Sequence, residues 1–435
     1  MSNKDEPGLV APAESSHRGA HLLASRPRMP ESVTRGFNAL RVRNYRLYWI
    51  SQVISLTGTW MQTTAQTWLV LRITGSPFAL GLITTLQFLP VTIFVLFGGV
   101  LADRLPKRPT IIATQTLALI QAAIFGALVS THAIQLWHLY ILAVVQGIIT
   151  AVDNPVRQAF VAEMVGREDL INAVALNSMV FNGARIIGPA VAGVVIAWLD
   201  IAPTLFLNAI SFVPVIIALL MMNPAAMFNV PPTSSGSVIE QLKEGVRYAV
   251  RTPTILLVLI VLMAIGTFGY NFTVVIPLIA YKILLTDSVG FGALWSFLGV
   301  GSLVAAVTTA YARQITIRRL LIAGGAFSLI FLAVAFSTQF GLTAILLVVL
   351  GFAGITFATS SSTLLQLSTP DALRGRVMSL NTLLFVGSTP IGGLLIGTLS
   401  EFSSVPLALF ICGILCLTGV IVAAAYQNAH RPAPA

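Results

Sequence analysis

The sequence predicts an all-α membrane protein, with twelve transmembrane helices in two pseudo-symmetric six-helix bundles, and three observations carry that prediction. Of the 435 residues, 56% are hydrophobic and only 9% are charged, whereas soluble domains carry about 25% charged residues. Twelve segments reach the roughly 20 mostly apolar residues needed to cross a hydrocarbon core about 30 Å thick. A polar break after the sixth divides them six and six. A core able to hide this much apolar side chain would leave too little polar surface to cover it. The composition therefore excludes a cytosolic enzyme and a secreted disulfide scaffold. Cys412 and Cys416, four apart in one apolar run, read as small core residues on one helical face, implying neither a disulfide nor a metal framework.

Residues 1–44 are polar and rich in Pro, Ser and Arg, with no apolar stretch of signal-peptide length. The first span is then its own targeting signal, and this head stays in the cytosol. Spans at 45–71, 78–102, 109–130, 134–152, 171–199 and 203–222 form an N-terminal bundle over 45–222. Residues 223–253 are a cytosolic linker that opens with Pro224 and the tract Pro231-Pro232-Thr233-Ser234-Ser235-Gly236. It then becomes helical. Ser237 and Glu240 make a capping box, Val238, Leu242 and Val246 make an apolar stripe, and Glu240/Lys243 and Glu244/Arg247 are i,i+3 pairs. Such a helix lies on the membrane surface, and Pro253 ends it. Spans at 254–281, 288–311, 318–337, 341–364, 377–400 and 405–426 form a C-terminal bundle over 254–426, followed by a cytosolic tail, 427–435.

Lysine and arginine set the orientation. With the N-terminus inside, the cytosolic segments collect Lys4 through Arg46, Arg104, Lys107, Arg108, Arg157, Arg167, Lys243, Arg247, Arg251, Arg313, Arg318, Arg319, Arg374, Arg376 and Arg431. The outer loops keep Arg72 and Lys282. Both termini are expected in the cytosol. The net charge of +10 reads as topology, with attraction to the anionic bilayer surface second and no role for nucleic acid.

The halves repeat. Leu176-Asn177 aligns with Leu380-Asn381, and at the same offset Phe181 aligns with Phe385, Gly183 with Gly387, Gly188 with Gly392 and Gly193 with Gly397. Paired repeats with a site at their interface are how secondary transporters are built.

Between spans two and three, Gly99-Val100-Leu101-Ala102-Asp103-Arg104-Leu105-Pro106-Lys107-Arg108 puts a carboxylate at a helix end with cations around a tight turn. This run resembles motif A of the major facilitator superfamily, although Pro106 stands where the family usually has glycine. The resemblance implies a conformational latch of Gly99, Asp103, Arg104 and Arg108, with Asp103 meeting the positive N-terminus of a neighbouring helix and Asp153 as a partner for the cations. In span five, Gly183-Ala184-Arg185-Ile186-Ile187-Gly188-Pro189-Ala190-Val191-Ala192-Gly193 resembles motif C, which marks exporters in that superfamily. Ala184, Gly188 and Ala192 make a small-xxx-small ridge, Pro189 permits a bend, and Gly188-Pro189 is expected to pack on span eight.

Asp153-Asn154-Pro155-Val156-Arg157-Gln158-Ala159-Phe160, Arg167-Glu168-Asp169-Leu170, Leu176-Asn177-Ser178, the stretch from Asn38-Ala39-Leu40-Arg41 to Gly58-Thr59-Trp60-Met61-Gln62, and Glu244-Gly245-Val246-Arg247-Tyr248 extend the likeness over residues 37–426. Together they resemble the enterobactin-type siderophore exporters and related bacterial multidrug effluxers. That implies a twelve-helix bundle in a bacterial inner membrane and export from the cytoplasm by alternating access, usually with proton antiport, without fixing the substrate; amphipathic small molecules are the expected cargo, with a monomer and no cofactor also expected. The motif B arginine is missing, because Ala143 precedes Gln146-Gly147, so its proton-relay role does not carry over.

Polar side chains inside spans are candidates to line a cavity: Gln62 and Gln66, one turn apart, Gln146, Asn182, Tyr270, Asn271 and Asn381, each equally able to serve as an interhelical tie. On these limits every Asp and Glu falls at or beyond a membrane boundary, leaving Arg185 as the expected main charge of the translocation path. An arginine at that depth costs at least about 2.5 kcal/mol and does not shed its proton. It must face a wet cavity or find acceptors such as Asn182, Gln146 or an anionic substrate. His132 and His138 flank an outer loop. Phosphate-cradling loops, soluble-enzyme triads and metal-ligand spacings are absent from the sequence. Two other readings stay open: nutrient uptake on the same fold, against which motif C argues, and a scaffold or sensor, which would be expected to carry an appended soluble domain.

Overall fold

The computed structural model describes residues 37–94, 105–228, 238–311 and 314–429. Gly99, Asp103 and Arg104 of the expected latch, Ser237 of the capping box, and most of the head and tail lie outside them.

The first half consists of α1 (Arg43–Thr74), α2 (Pro77–Phe94), α3 (Lys107–Ser130), α4 (Leu136–Val165), α5 (Leu170–Leu199) and α6 (Ile201–Met221). A surface helix, α7 (Val238–Arg251), leads into the second half. There span seven is divided into α8 (Pro253–Phe268), α9 (Phe272–Leu278) and a π turn over Ile279–Ile283. Then come α10 (Ser288–Ala310), α11 (Ile317–Ala335) and α12 (Phe340–Leu367). Span eleven is divided into α13 (Asp371–Phe385) and α14 (Thr389–Phe402), and α15 (Val405–Ala429) ends the described chain. Eleven helices among the described residues are long and apolar enough to cross a membrane. The helix that falls short in apolarity is α1, which at 32 residues has the length but interrupts its apolar run with Gln52, Ser55, Thr59, Thr63 and Gln66.

Hydrocarbon offers no partner for a free backbone amide, so the ends and breaks of the spans are built with care. Gly75 closes α1 in the left-handed region at φ 60°, its N–H returning to the Leu71 carbonyl at 2.8 Å; glycine reaches that conformation without a Cβ penalty. Ser76 then caps α2 by accepting from the Ala79 N–H at 3.1 Å. Asp287 caps α10 in the same manner, accepting from the Gly290 N–H at 2.8 Å.

Within the first half α1 packs on α5 and α6, α3 on α4 and α6, and α2 on α4; within the second α10 and α11 pack on α12, and α8 and α11 on α15. The two most extensive crossings between the halves, among the described residues, are α5 against α10 and α2 against α14. They are built alike, by small residues that let backbones touch. A Cβ on Gly193 would strike the Ser288 carbonyl and lie 3.3 Å from the Gly292 Cα; a Cβ on Gly397 would lie 2.8 Å from the Pro77 carbonyl and 3.0 Å from the Gly81 Cα. Gly193 and Gly397 are the pair aligned by the internal repeat, so each half contributes the same device to the other.

The structure changes three expectations. Span four does not end at residue 152: α4 continues to Val165, and Arg157, expected in a loop, is inside the helix. Gly188 does not meet span eight. Its Cβ would lie 2.6 Å from the Trp60 Cβ and 2.8 Å from the Thr57 carbonyl on α1, while Pro189 and Gly193 make the α10 contact. Glu244 pairs across the fold with Arg376 at 2.6 Å rather than along α7 with Arg247, tying the surface helix to the start of span eleven.

Candidate translocation cavity

A cavity of about 870 Å³ lies inside the first half, and among the described residues Thr273 and Val386 alone reach it from the second. One face of α1 supplies Gln52, Ser55, Thr59, Thr63 and Gln66, at the three-to-four-residue spacing that keeps side chains on one side of a helix. The polar residues that weaken α1 as an apolar span are therefore the cavity wall. The lining runs from Gln66, Ile83 and Thr84 at mid-bundle to Gln158, Ala162 and Leu170 at the end where α4 stops and α5 begins. That end is the near face, where α1 also starts.

The opposite, far face is sealed. Trp68 stacks on Phe291 with centroids 5.2 Å apart and meets the Tyr281 ring at 5.7 Å, joining α1 to spans seven and eight. Glu401 of α14 accepts the Ser76 hydroxyl at 2.7 Å and the Phe78 N–H at 3.1 Å, at the start of α2. Ser288 Oγ donates to the Gly193 carbonyl at 3.0 Å.

At the near end of the cavity is an ion pair that sequence reading missed. Asp153, only 7% exposed, takes Arg157 Nε at 2.8 Å and Nη2 at 2.5 Å on Oδ2. On Oδ1 it accepts the Thr114 hydroxyl at 2.6 Å and Gln115 Nε2 at 3.2 Å. Arg157 Nη1 donates to Gln52 Oε1. Asp153, Arg157, Gln52 and Gln115 all line the cavity. The i,i+4 spacing of Asp153 and Arg157 was the available signal, obscured by placing the end of span four at residue 152. It also corrects the charge inventory: a carboxylate is buried in the bundle, and Arg185 is not its sole internal charge.

The expected site residues separate into groups. Gln66, Gln146 and Asn182 line the cavity, with Gln66 Nε2 reaching Gln87 Oε1 at 3.4 Å and Asn182 Nδ2 donating to the Ser178 carbonyl at 2.8 Å. Gln62 is instead a tie outside the lining. It accepts from Asn208 Nδ2 at 2.7 Å and donates to Gln121 Oε1 at 3.1 Å, and Gln121 donates to the Leu142 carbonyl at 3.2 Å, linking α6, α1, α3 and α4. Tyr270 packs among Phe272, Phe327 and Phe385, its ring 4.5 Å from that of Phe385. Asn271, at the break of span seven, donates to the Thr267 carbonyl at 2.7 Å. Asn381 is half-buried on α13 and outside the lining. Of the latch, Arg108 is described, and its Nε and Nη2 donate to the Leu219 and Leu220 carbonyls at 2.8 and 3.1 Å, capping α6. Asp153 is committed to Arg157.

Arg185 sits on α5 beside the crossing with α10, one residue from Ile186, whose carbonyl accepts Ser296 Oγ at 3.2 Å. Its buried Nε has no partner among the described residues, and neither does the buried Trp295 Nε1 on α10. Both atoms can only donate. Trp295 lies against Trp60, which lines the cavity, with centroids 5.7 Å apart.

This architecture, two halves crossing at paired glycine contacts around a polar cavity closed at one face, has relatives. The profile of the transmembrane secretion effectors, a branch of the major facilitator superfamily, matches residues 34–431. The chain belongs to that family. It is similar to the staphyloferrin A transporter of Staphylococcus aureus, 24% identical over 86% of this chain and 94% of that one. It is also similar to the multidrug efflux pump Tap of Mycolicibacterium fortuitum, 26% identical over 77% and 83%, and to the enterobactin exporter EntS of Shigella flexneri, 24% identical over 86% and 90%. Among solved structures, a bacterial homologue of the lysosomal transporter Spinster, inward-facing and unoccupied, superposes with a TM-score of 0.68 at 12% identity, over 90% of this chain and 99% of that one. A structure of the nucleoside transporter NupG gives 0.68 at 11% identity, over 88% and 99%. The protein is thus a multi-pass membrane transporter of the major facilitator superfamily acting on small molecules, not an enzyme.

Proposed function

We propose that this transporter exports amphipathic small molecules from the cytoplasm, with both termini cytosolic, and that the state described is the one loaded from inside. The observation that carries the reading is the cavity: polar on its α1 face, reaching the near face, and closed by aromatic and glycine contacts at the far face. Arg41, Arg43, Arg46, Lys107, Arg108, Arg157 and Arg167 cluster toward the near end of the first half, against Arg72 at its far end, and basic loops stay in the cytosol. The staphyloferrin A, enterobactin and drug transporters among its relatives support siderophore-like or drug-like cargo. Arg185 Nε and Trp295 Nε1, two buried donors without acceptors among the described residues, stand at the α5–α10 crossing outside the cavity lining, and the positive charge of Arg185 beside the cavity supports neutral or anionic cargo over lipophilic cations. Proton antiport, which the exporter resemblance implies, remains the coupling on this reading, and a single copy of the chain holds the whole cavity. The latch of Gly99, Asp103, Arg104 and Arg108 belongs to the alternate state on this reading, when the near face shuts.

The test is transport by everted vesicles given an anionic and a cationic fluorescent probe under an imposed proton gradient. Wild type is expected to prefer the anion, and Arg185→Gln to lose that preference. Preference of the wild type for the cation would reject the anion-favouring role of Arg185.

A further inference from the structure

The Asp153–Arg157 pair fixes more than its own geometry. A carboxylate can only accept hydrogen bonds and a guanidinium can only donate them. Gln115, bonded to Asp153 Oδ1, must therefore present its NH2 to the pair and turn its carbonyl away. Gln52, bonded to Arg157 Nη1, must present its carbonyl and turn its NH2 away. Rotating either amide by 180° would set like against like, acceptor on carboxylate or donor on guanidinium. The ion pair thus holds both amides in one orientation.

The atoms turned away are the two that remain without partners: Gln52 Nε2 and Gln115 Oε1 are buried and make no hydrogen bond among the described residues. The two residues are 3% and 2% exposed, and both line the cavity. Buried amide groups in native structures are ordinarily paired, and here one orphan is a donor and the other an acceptor, flanking one ion pair. Resting on the reading of this cavity as the substrate site, we infer that Gln52 and Gln115 form a neutral recognition subsite, oriented by Asp153 and Arg157, for a substrate group offering an acceptor beside a donor, such as an amide or hydroxamate. The charges stay satisfied by each other and by Thr114. What the substrate meets is a pair of complementary dipoles, separate in composition from the donor-only Arg185 and Trp295 at the α5–α10 crossing.

A site built to hydrogen-bond a polar group rejects analogues lacking it. The test uses three probes on one fluorophore, dansyl-glycinamide, its N,N-dimethylamide and dansyl-glycine, titrated against the purified full-length protein. Wild type is expected to bind the primary amide at least about tenfold more tightly than the dimethylamide, which keeps the acceptor and loses the donor. Gln115→Met removes the acceptor that reads that donor, and is expected to erase the preference. Gln52→Glu keeps an oxygen for Arg157 while replacing the outward NH2 with an acceptor, and is expected to weaken both amides together. Equal affinity of the wild type for all three probes would overturn the subsite while leaving the cavity as the binding site. Absence of saturable binding by any probe would overturn both. The wild-type comparison needs no variant, so it stands even where a substitution impairs folding.

Discussion

Asp153 and Arg157 illustrate how a buried charge is kept in a membrane protein: each satisfies the other, and Thr114, Gln115 and Gln52 take the remaining valences. Removing one partner strands the other, which for a fully buried pair costs about 3–5 kcal/mol, whereas replacing both is far milder. Because this pair borders a polar cavity, Asp153→Asn is expected to cost about 2 kcal/mol or more, with thermal unfolding of the purified protein lowered accordingly. Adding Arg157→Gln should recover part of the loss. If the two substitutions add instead, the pair is not the unit described. The same pair shows the limit of reading residues singly: Asp153 and Arg157 were visible in the sequence, but with span four ended at residue 152 they looked like boundary and loop. The polar stripe of α1 was legible only at Gln66, because Gln52, Ser55, Thr59 and Thr63 look like ordinary weak points of an apolar helix until the cavity is seen.

At the scale of elements, α5 separates two roles that its motif combines. Gly188 and Gly193 are five residues apart, which at about 100° per residue puts them about 140° apart around the helix. One faces α1 in its own half, the other faces α10 in the opposite half. A ridge of small residues can be read from sequence; which neighbour each one meets depends on helix rotation, which the spacing alone does not specify. Gly188→Leu is therefore expected to loosen the first bundle, lowering thermal stability and expression. Gly193→Leu is expected to spare the bundles but to force α5 off α10 at the far face. Spin labels placed across that face should then report a longer distance in Gly193→Leu than in wild type, with unfolding temperature little changed. Equal distances would show that this crossing does not close the far face. The breaks of spans seven and eleven, at Gly269–Asn271 and Val386–Ser388, were hidden for a different reason: each lies inside a run apolar enough on average to read as one span, and hydropathy does not register a local change of backbone path.

For the whole molecule, the order of spans and the central surface helix were legible because a bilayer demands length and apolarity of each span, and the repeat was legible because Leu-Asn, Phe and three glycines recur at one offset. The repeat becomes physical at the two crossings, where Gly193 and Gly397 do the same work on opposite sides. On the proposed reading, the transporter exchanges access by trading far-face contacts for near-face ones, and its direction is set by which face is cytosolic and by the driving gradient. A reporter fused after Ala435 is expected to be active only in the cytosol. Direction itself is tested most directly by accumulation of an anionic fluorescent substrate in energised everted vesicles, whose exposed face is the cytosolic one, compared with right-side-out vesicles carrying the opposite gradient. The account predicts accumulation in everted vesicles, lost when Gly193 is replaced by Leu. Accumulation only in right-side-out vesicles would contradict it and identify the protein as an importer.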